Sequence, residues 1–279
     1  MWVDSHCHLD AREFDADRQE VIKRAHLAGV MQMVIPAVAA PHFPHVVQLA
    51  HQHQCAYALG IHPLWIADET QALPTDQDAQ AIAQLHKALS LHHTDQRLVA
   101  IGEIGLDYFD THISHERQWF YYTEQLKLAR AFKLPVILHV RKSADMLLKG
   151  LHQHTITQGI AHAFNGSDQQ AHAFLKIGFK LGFGGACTFE RARQIRHLAQ
   201  ALPAQGIVLE TDAPDMPPQW LYQTARQRLQ GTAQSRNEPS ELPRIAQTVA
   251  ALRAIPAQTL QQITTQNTLE ALPKLQQLV

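Results

Sequence analysis

The amino-acid sequence predicts an α/β fold, a closed parallel (β/α)₈ TIM barrel, and three observations lead there. Eight short apolar runs rich in strand-forming residues alternate with longer amphipathic segments along one uninterrupted chain. The length of 279 residues, with 46% of them apolar, suits a single barrel of roughly 250 residues and its buried core. An open doubly wound sheet, the alternative, lacks its phosphate-cradling loops: no G-x-G-x-x-G follows the first strand and no G-x-x-x-x-G-K-[ST] occurs anywhere. No linker, low-complexity tract or short-period repeat divides the chain, so residues 1–279 are read as one domain.

Residues 2–5 form the first strand, and a helix near residues 17–28 follows, closed by Gly29. Residues 31–36 form the second strand, and a proline starts the helix over 41–53. The third strand, 56–61, precedes a long helix near 76–92. The fourth, 98–101, ends at Gly-Glu-Ile-Gly-Leu-Asp, and residues 112–133 carry apolar side chains at helical spacing until Leu134-Pro135 stops them. The remaining strands are 135–138, 159–161, 178–183 and 207–209, with helices over 143–153, 169–176 and 191–202 between them. After a polar, proline-containing loop, residues 240–278 supply one or two closing helices.

Composition narrows the function classes. The 24 basic and 25 acidic residues give a net charge of −1, so no global field attracts nucleic acid or an anionic membrane, and any phosphate recognition is local. The three cysteines, Cys7, Cys55 and Cys187, are odd in number, far apart and form no C-x-x-C, which fits core thiols in a reducing cytoplasm. No signal-type leader opens the chain and no apolar run approaches a membrane span, so the expectation is a soluble cytoplasmic protein with no membrane contact and no obligate protein partner.

The ends of the apolar runs carry the chemistry. His6 and His8 in Asp4-Ser5-His6-Cys7-His8 leave one face of an extended backbone, a ready start for a divalent-metal site. A lone His-x-His proves little among 19 histidines. His62, Glu103, His139, His162 and Asp212 stand at further run ends, however, which a barrel brings together at its C-terminal face. Any one of them has an ordinary explanation as a capped loop or a satisfied core histidine. Together, His6, His8, Glu103, His139, His162 and Asp212 offer four imidazoles and two carboxylates from five strands, a donor set for two divalent cations with one carboxylate shared and positions left for water. His62, in Gly60-Ile61-His62-Pro63, reads as a substrate contact, with a further ligand or a plain loop residue as alternatives. Arg141 shares the face of His139 and suits an anionic oxygen, against a solvated arginine. Arg236, in Arg-Asn-Glu-Pro after the last strand, is a further phosphate-contact candidate or a loop brace. Asp107 and Glu210 read as residues that orient ligands rather than ligate.

In these motifs the chain resembles the TatD family of metal-dependent hydrolases and deoxyribonucleases. The resemblance rests on Asp4 to Asp10, Gly60-Ile61-His62-Pro63, Gly102-Glu103-Ile104-Gly105-Leu106-Asp107-Tyr108, His139-Val140-Arg141, His162-Ala163-Phe164-Asn165-Gly166, Glu210-Thr211-Asp212-Ala213-Pro214 and Arg236-Asn237-Glu238-Pro239, which span nearly the whole length. It implies an amidohydrolase-like barrel in which His6, His8 and Asp212 hold one metal, His139 and His162 a second, and Glu103 bridges both. Related amidohydrolases often bridge with a carboxylated lysine; here Glu103 takes that place.

The resemblance further implies hydrolysis of DNA phosphodiesters, removing nucleotides from an end, with RNA as an option. Water acidified by two divalent cations, zinc, manganese, magnesium or cobalt, attacks phosphorus while Asp212 accepts the proton. Arg141 and Arg236 clamp non-bridging oxygens and His62 positions the leaving nucleotide. With no basic channel, a single-stranded or frayed end held through its terminal phosphate fits the composition best, and binding is expected to weaken only modestly with salt. The alternatives are a small-molecule hydrolase acting on a lactone, amide or phosphate ester at the same binuclear site, and a non-catalytic metal-binding protein.

Overall fold

Parallel strands buried on both faces need helices to cover them, either on an open doubly wound sheet or around a closed barrel. In the computed structural model, which describes residues 1–66, 71–229, 231 and 235–279, the apolar runs become β1 (Trp2–Asp4), β2 (Val30–Pro36), β3 (Ala56–Leu59), β4 (Leu98–Asp107), β5 (Val136–Arg141), β6 (Gly159–Ala161), β7 (Phe179–Phe183) and β8 (Ile207–Leu209). They pair in parallel, each with its sequence neighbour, in the order β1 to β8. Ser5 N donates to Leu209 O at 3.1 Å and joins the last strand to the first.

The alternating helices are α1 (Arg18–Leu27), α2 (Phe43–His53), α3 (Asp76–His92), α4 (His115–Phe132), α5 (Ala144–His154), α6 (Asp168–Lys176) and α7 (Arg193–Ala201). Beyond β8 come the short α8 (Ala225–Leu229) and the closing pair α9 (Leu242–Leu252) and α10 (Ala257–Ala271). Among the described residues no helix is long and apolar enough to cross a membrane. All three cysteines are buried free thiols.

Among the boundaries that differ from the sequence expectation, two bear on function. β4 does not stop at residue 101: Gly105, Leu106 and Asp107 pair with His139, Val140 and Arg141 of β5, across a register shift between Ile101 and Ile104. Glu103 therefore stands within a strand rather than at its end. β1 stops at Asp4, one residue early, so His6 and His8 sit just beyond it, on a loop held by Cys7 N donating to Val34 O at 3.1 Å and His8 N to Ala213 O at 2.8 Å. α8 falls in the stretch expected to be loop.

The barrel interior is filled by Val3, Val34, Ala58, Val99, Ile137, Ile160 and Val208, with Leu272 and Leu275 after α10 packed against them. Leu272 and Leu275 close the end from which the strands start, so the apolar plug occupies that end and leaves the other, beyond the last strand residues, for polar groups.

On the outside, α3 and α4 are locked through Asp78. Its carboxylate caps α3 by accepting from Thr75 N at 2.7 Å, and accepts from Arg117 Nη2 at 2.7 Å and Tyr121 OH at 2.8 Å. Asp78 and Arg117 are each 1% exposed. Removing one partner leaves the other charge buried and uncompensated, which costs about 3–5 kcal/mol. Asp78→Ala is therefore expected to lower the thermal melting point by about 10 °C in circular dichroism, and a variant melting within about 2 °C of the parent would contradict this.

Candidate metal centre

Side-chain alternation explains why the polar residues meet. Ile137 and Ile160 point into the barrel, so His139 and His162, two residues further along, point inward at its open end. Val208 places Glu210 by the same rule, and Ala58 places Gly60 and His62, while Asp212 is set by the left-handed turn that follows β8. Glu103 comes from β4, where its N–H donates to Ala37 O at 3.0 Å. The glycines around it are steric requirements. Gly105 has φ +145°, and a Cβ there would lie 2.2 Å from His139 O; a Cβ on Gly102 would lie 2.8 Å from that of Ile137.

Glu103, 2% exposed, sends one oxygen to each of two donor groups. On the Oε2 side, His6 Nε2 is 3.2 Å from Glu103, 3.2 Å from His8 Nε2 and 3.5 Å from Asp212 Oδ1. His8 Nε2 is 3.5 Å from Glu103 Oε2 and 3.6 Å from Asp212 Oδ1. These separations of 3.2–3.6 Å are close to the edge of a tetrahedron around an ion with bonds of about 2.0–2.1 Å. On the Oε1 side stand His162 Nε2 at 2.8 Å, His139 Nδ1 at 3.1 Å and His62 Nε2 at 3.3 Å. The sets His6–His8–Glu103, His6–His162–Asp212 and His62–Glu103–His139 each hold their donor atoms within 4.8 Å of one another.

The residues fit divalent cations on two further counts. His162 is buried, and among the described residues neither ring nitrogen has a hydrogen-bond partner, although Nε2 faces Glu103. A nitrogen lone pair opposed to a carboxylate oxygen is stabilised by a cation shared between them. The field has the right sign as well. Burial pushes His8 and His162 down, but the carboxylates of Glu103 and Asp212 outweigh it and raise them to about 9 and about 10. Such a field favours any cation held at the same point.

Hydrogen bonding separates His139 from His62. His139 Nε2 lies 3.0 Å from Asp107 Oδ2, so the proton sits on that side and the Nδ1 lone pair is free to ligate. Burial would raise Asp107, but His139 and the N–H groups of Phe109 and Asp110 hold it at about 2, an acceptor under all working conditions. His62 is the reverse. Its Nδ1 accepts from Leu64 N at 3.1 Å, and burial brings it down to about 4, so the neutral ring carries its proton on Nε2 and faces Glu103 as a donor. That geometry suits a contact to an anionic oxygen better than ligation.

Asp212 has φ +56° and is over-determined by its neighbours. Its N–H donates to His6 O at 2.9 Å. Asn237 Nδ2 donates to Thr211 O and to Asp215 O, each at 2.8 Å, and fixes the loop from both sides. Thr211 in turn is held by the buried Asp4, through N at 3.0 Å and Oγ1 at 2.5 Å. Burial pushes Asp4 up to about 7 and Glu210 to about 8. Glu210 Oε1 accepts from Ala163 N at 2.5 Å, beside His162, and a Cβ on Gly182 would strike its carboxylate at 2.2 Å.

The structure corrects the phosphate-clamp expectation for Arg236. Its guanidinium takes both oxygens of Asp17 at 2.8 Å and donates to Glu13 O at 2.5 Å, so it braces the start of α1, while Glu238 accepts from Arg24 Nη2 at 2.7 Å. Of that motif it is Asn237 that serves the site, a role unsigned in sequence because an amide that supports a loop carries no spacing rule. Arg141 stays at the mouth, half exposed, 3.6 Å from Asp107 Oδ2 and 4.0 Å above the Phe109 ring. Asp4, Thr211 and Gly182 likewise escaped sequence reasoning, since only the fold puts them beside the donors.

Comparison with known proteins agrees with this geometry. The family model described as TatD related DNase matches residues 3–273. An Escherichia coli (strain K12) protein named uncharacterized metal-dependent hydrolase YjjV is 37% identical over 269 residues, 96% of each chain. A Pantoea protein named 3′-5′ ssDNA/RNA exonuclease TatD is 31% identical over 262 residues, 91% of this chain and 92% of that one. The crystal structure of the Escherichia coli YjjV, a TatD homologue, superposes with a TM-score of 0.85 at 36% identity, covering 98% of both chains. A family match over nearly the full length, on a barrel whose open end gathers imidazoles around one carboxylate, makes this chain a member of the TatD-related DNase family of metal-dependent hydrolases.

Proposed function

We propose that the chain is a single-domain phosphodiesterase over residues 1–279 that removes nucleotides from the ends of single-stranded nucleic acid. One observation carries the binuclear part: Glu103 presents Oε2 to His6 and His8, which Asp212 Oδ1 also faces, and Oε1 to His139 and His162. These residues would hold two divalent cations, with zinc, manganese and cobalt suited by the imidazoles and magnesium by the carboxylates. Bound there, the cations supply Lewis acidity that acidifies water and screens phosphoryl charge. DNA as substrate is supported by the family description and by the relative named as an exonuclease.

The chain's own groups then divide the work. The Asp212 carboxylate, pointed at His6 and His8, takes the proton of the attacking water as the P–O bond opposite breaks. His62 Nε2–H donates to a phosphoryl oxygen or to the departing one. Arg141 neutralises a non-bridging oxygen at the mouth, while Asp107 keeps His139 in its ligating tautomer. The free buried thiols and the lack of a membrane-crossing helix among the described residues support a cytoplasmic setting.

Metal-stripped protein reloaded with Mg, Mn, Co or Zn is expected to shorten a labelled single-stranded oligonucleotide stepwise, and Glu103→Ala to abolish this. Turnover confined to lactones or small esters would overturn the nuclease reading and leave a small-molecule hydrolase. Asp212→Asn is expected to keep its melting point without metal and lose roughly a hundredfold or more in kcat; full activity at saturating metal would remove Asp212 from the base role. Metal at a hundred times its Kd is expected to stabilise the protein by about 2.7 kcal/mol in thermal melts. An equal gain in Glu103→Ala would place the ions elsewhere.

A further inference from the structure

The loops after β7 and β8 border a second, open-sided cavity that the hydrolytic chemistry does not use. It has a volume of about 400 Å³, in the range of ligand pockets, and a lining that is almost wholly apolar, with Phe189, Met216, Pro217 and Tyr222 around it and Arg191 as its charged member. Phe189 and Tyr222 meet edge to face, with centroids 5.4 Å apart and planes at 84°. The exposed Arg191 guanidinium stands 5.5 Å from the Phe189 ring centre and 5.8 Å from that of Tyr222. Among the described residues Arg191 has no carboxylate partner, so its charge is available to a ligand.

The two loops are stitched into a preformed wall. Thr188 Oγ1 donates to Gly185 O at 2.6 Å and accepts from Gln219 N at 2.7 Å. Gly185 lies so close to Met216 that a Cβ there would be 2.2 Å from Met216 O. The cavity lies beside the Asp212 edge of the metal centre, since Ala186 and Met216 line both it and the small recess bordered by Glu210 and Asp212.

We propose that this cavity is a nucleobase subsite, which takes the base of a nucleotide next to the scissile phosphodiester and lends Arg191 to the neighbouring phosphate. The proposal rests on the nuclease reading above. Two aromatic rings beside an unpaired guanidinium suit a planar heterocycle that is tied to a phosphate. An apolar lining offers little to base edges, so the grip is by stacking and tolerates all four bases. It also supplies the local strand affinity that a chain of net charge −1 lacks as a global field.

The test compares kcat/KM on a single-stranded oligonucleotide, on the same strand with abasic sugars flanking the cleaved bond, and on methyl p-nitrophenyl phosphate, which has no base. Phe189→Ala and Tyr222→Ala are each expected to lower the ratio of oligonucleotide to methyl p-nitrophenyl phosphate turnover about tenfold, mainly through KM, with Phe189→Trp restoring it. On the abasic strand the same variants are expected to lose no more than about twofold relative to the small ester, because the stacked partner is already missing. Thermal melts identify any variant whose fold has failed, and Arg191→Gln, at an exposed position, then carries the test through a shallower salt dependence on the oligonucleotide. A ratio held in both alanine variants, or an equal loss on intact and abasic strands, overturns the subsite alone. A parent protein that hydrolyses the small ester but leaves the oligonucleotide intact overturns the nuclease reading, and the subsite with it.

Discussion

One buried carboxylate organises this protein. Burial alone would push Glu103 up and neutralise it, but the surrounding His162, His62 and His6 outweigh that and hold it well below the usual carboxylate range. An ionised carboxylate so deep needs partners on every side, and the barrel provides them by ending several strands at one place. The glycines that bring β3, β4 and β5 together, and the register shift around Glu103, follow from that need. So does the apolar plug at the opposite end, which leaves the polar groups one face on which to converge.

Around the donors lies a layer of groups that set direction and protonation. Asp107 fixes His139, Leu64 N fixes His62, and Asp4 with Thr211 and Asn237 hold Asp212 in its left-handed backbone conformation. His139 and His62, both facing Glu103 Oε1, thus present opposite faces to it, one a lone pair and one a proton. Two arginines stand near the site on aromatic rings: Arg141 rests on Phe109, and Arg191 stands by Phe189 and Tyr222.

Much of this was legible in the sequence because barrels turn spacing into position. Alternation within short strands is a period of two, so the inward parity of Ile137 and Ile160 carries over to His139 and His162 without knowledge of the fold. The end of β4 was set too early because Gly102 and Gly105 interrupt the strand-forming run, whereas pairing to β5 keeps the segment extended through Asp107. Arg236 misled for a different reason. A guanidinium after the last strand suits a phosphate as well as it suits Asp17, and only the path of α1 decides between them. Asn237, Gly182 and Asp4 act through contacts with residues far along the chain, which no local pattern reports.

The most direct test of a centre shared through Glu103 is anomalous diffraction from crystals loaded with zinc or manganese. The account predicts two peaks about 3.5–4 Å apart, each at bonding distance from a different Glu103 oxygen, one reaching His6, His8 and Asp212 and the other His139 and His162. A single peak, or two peaks of which one does not touch Glu103, would contradict it.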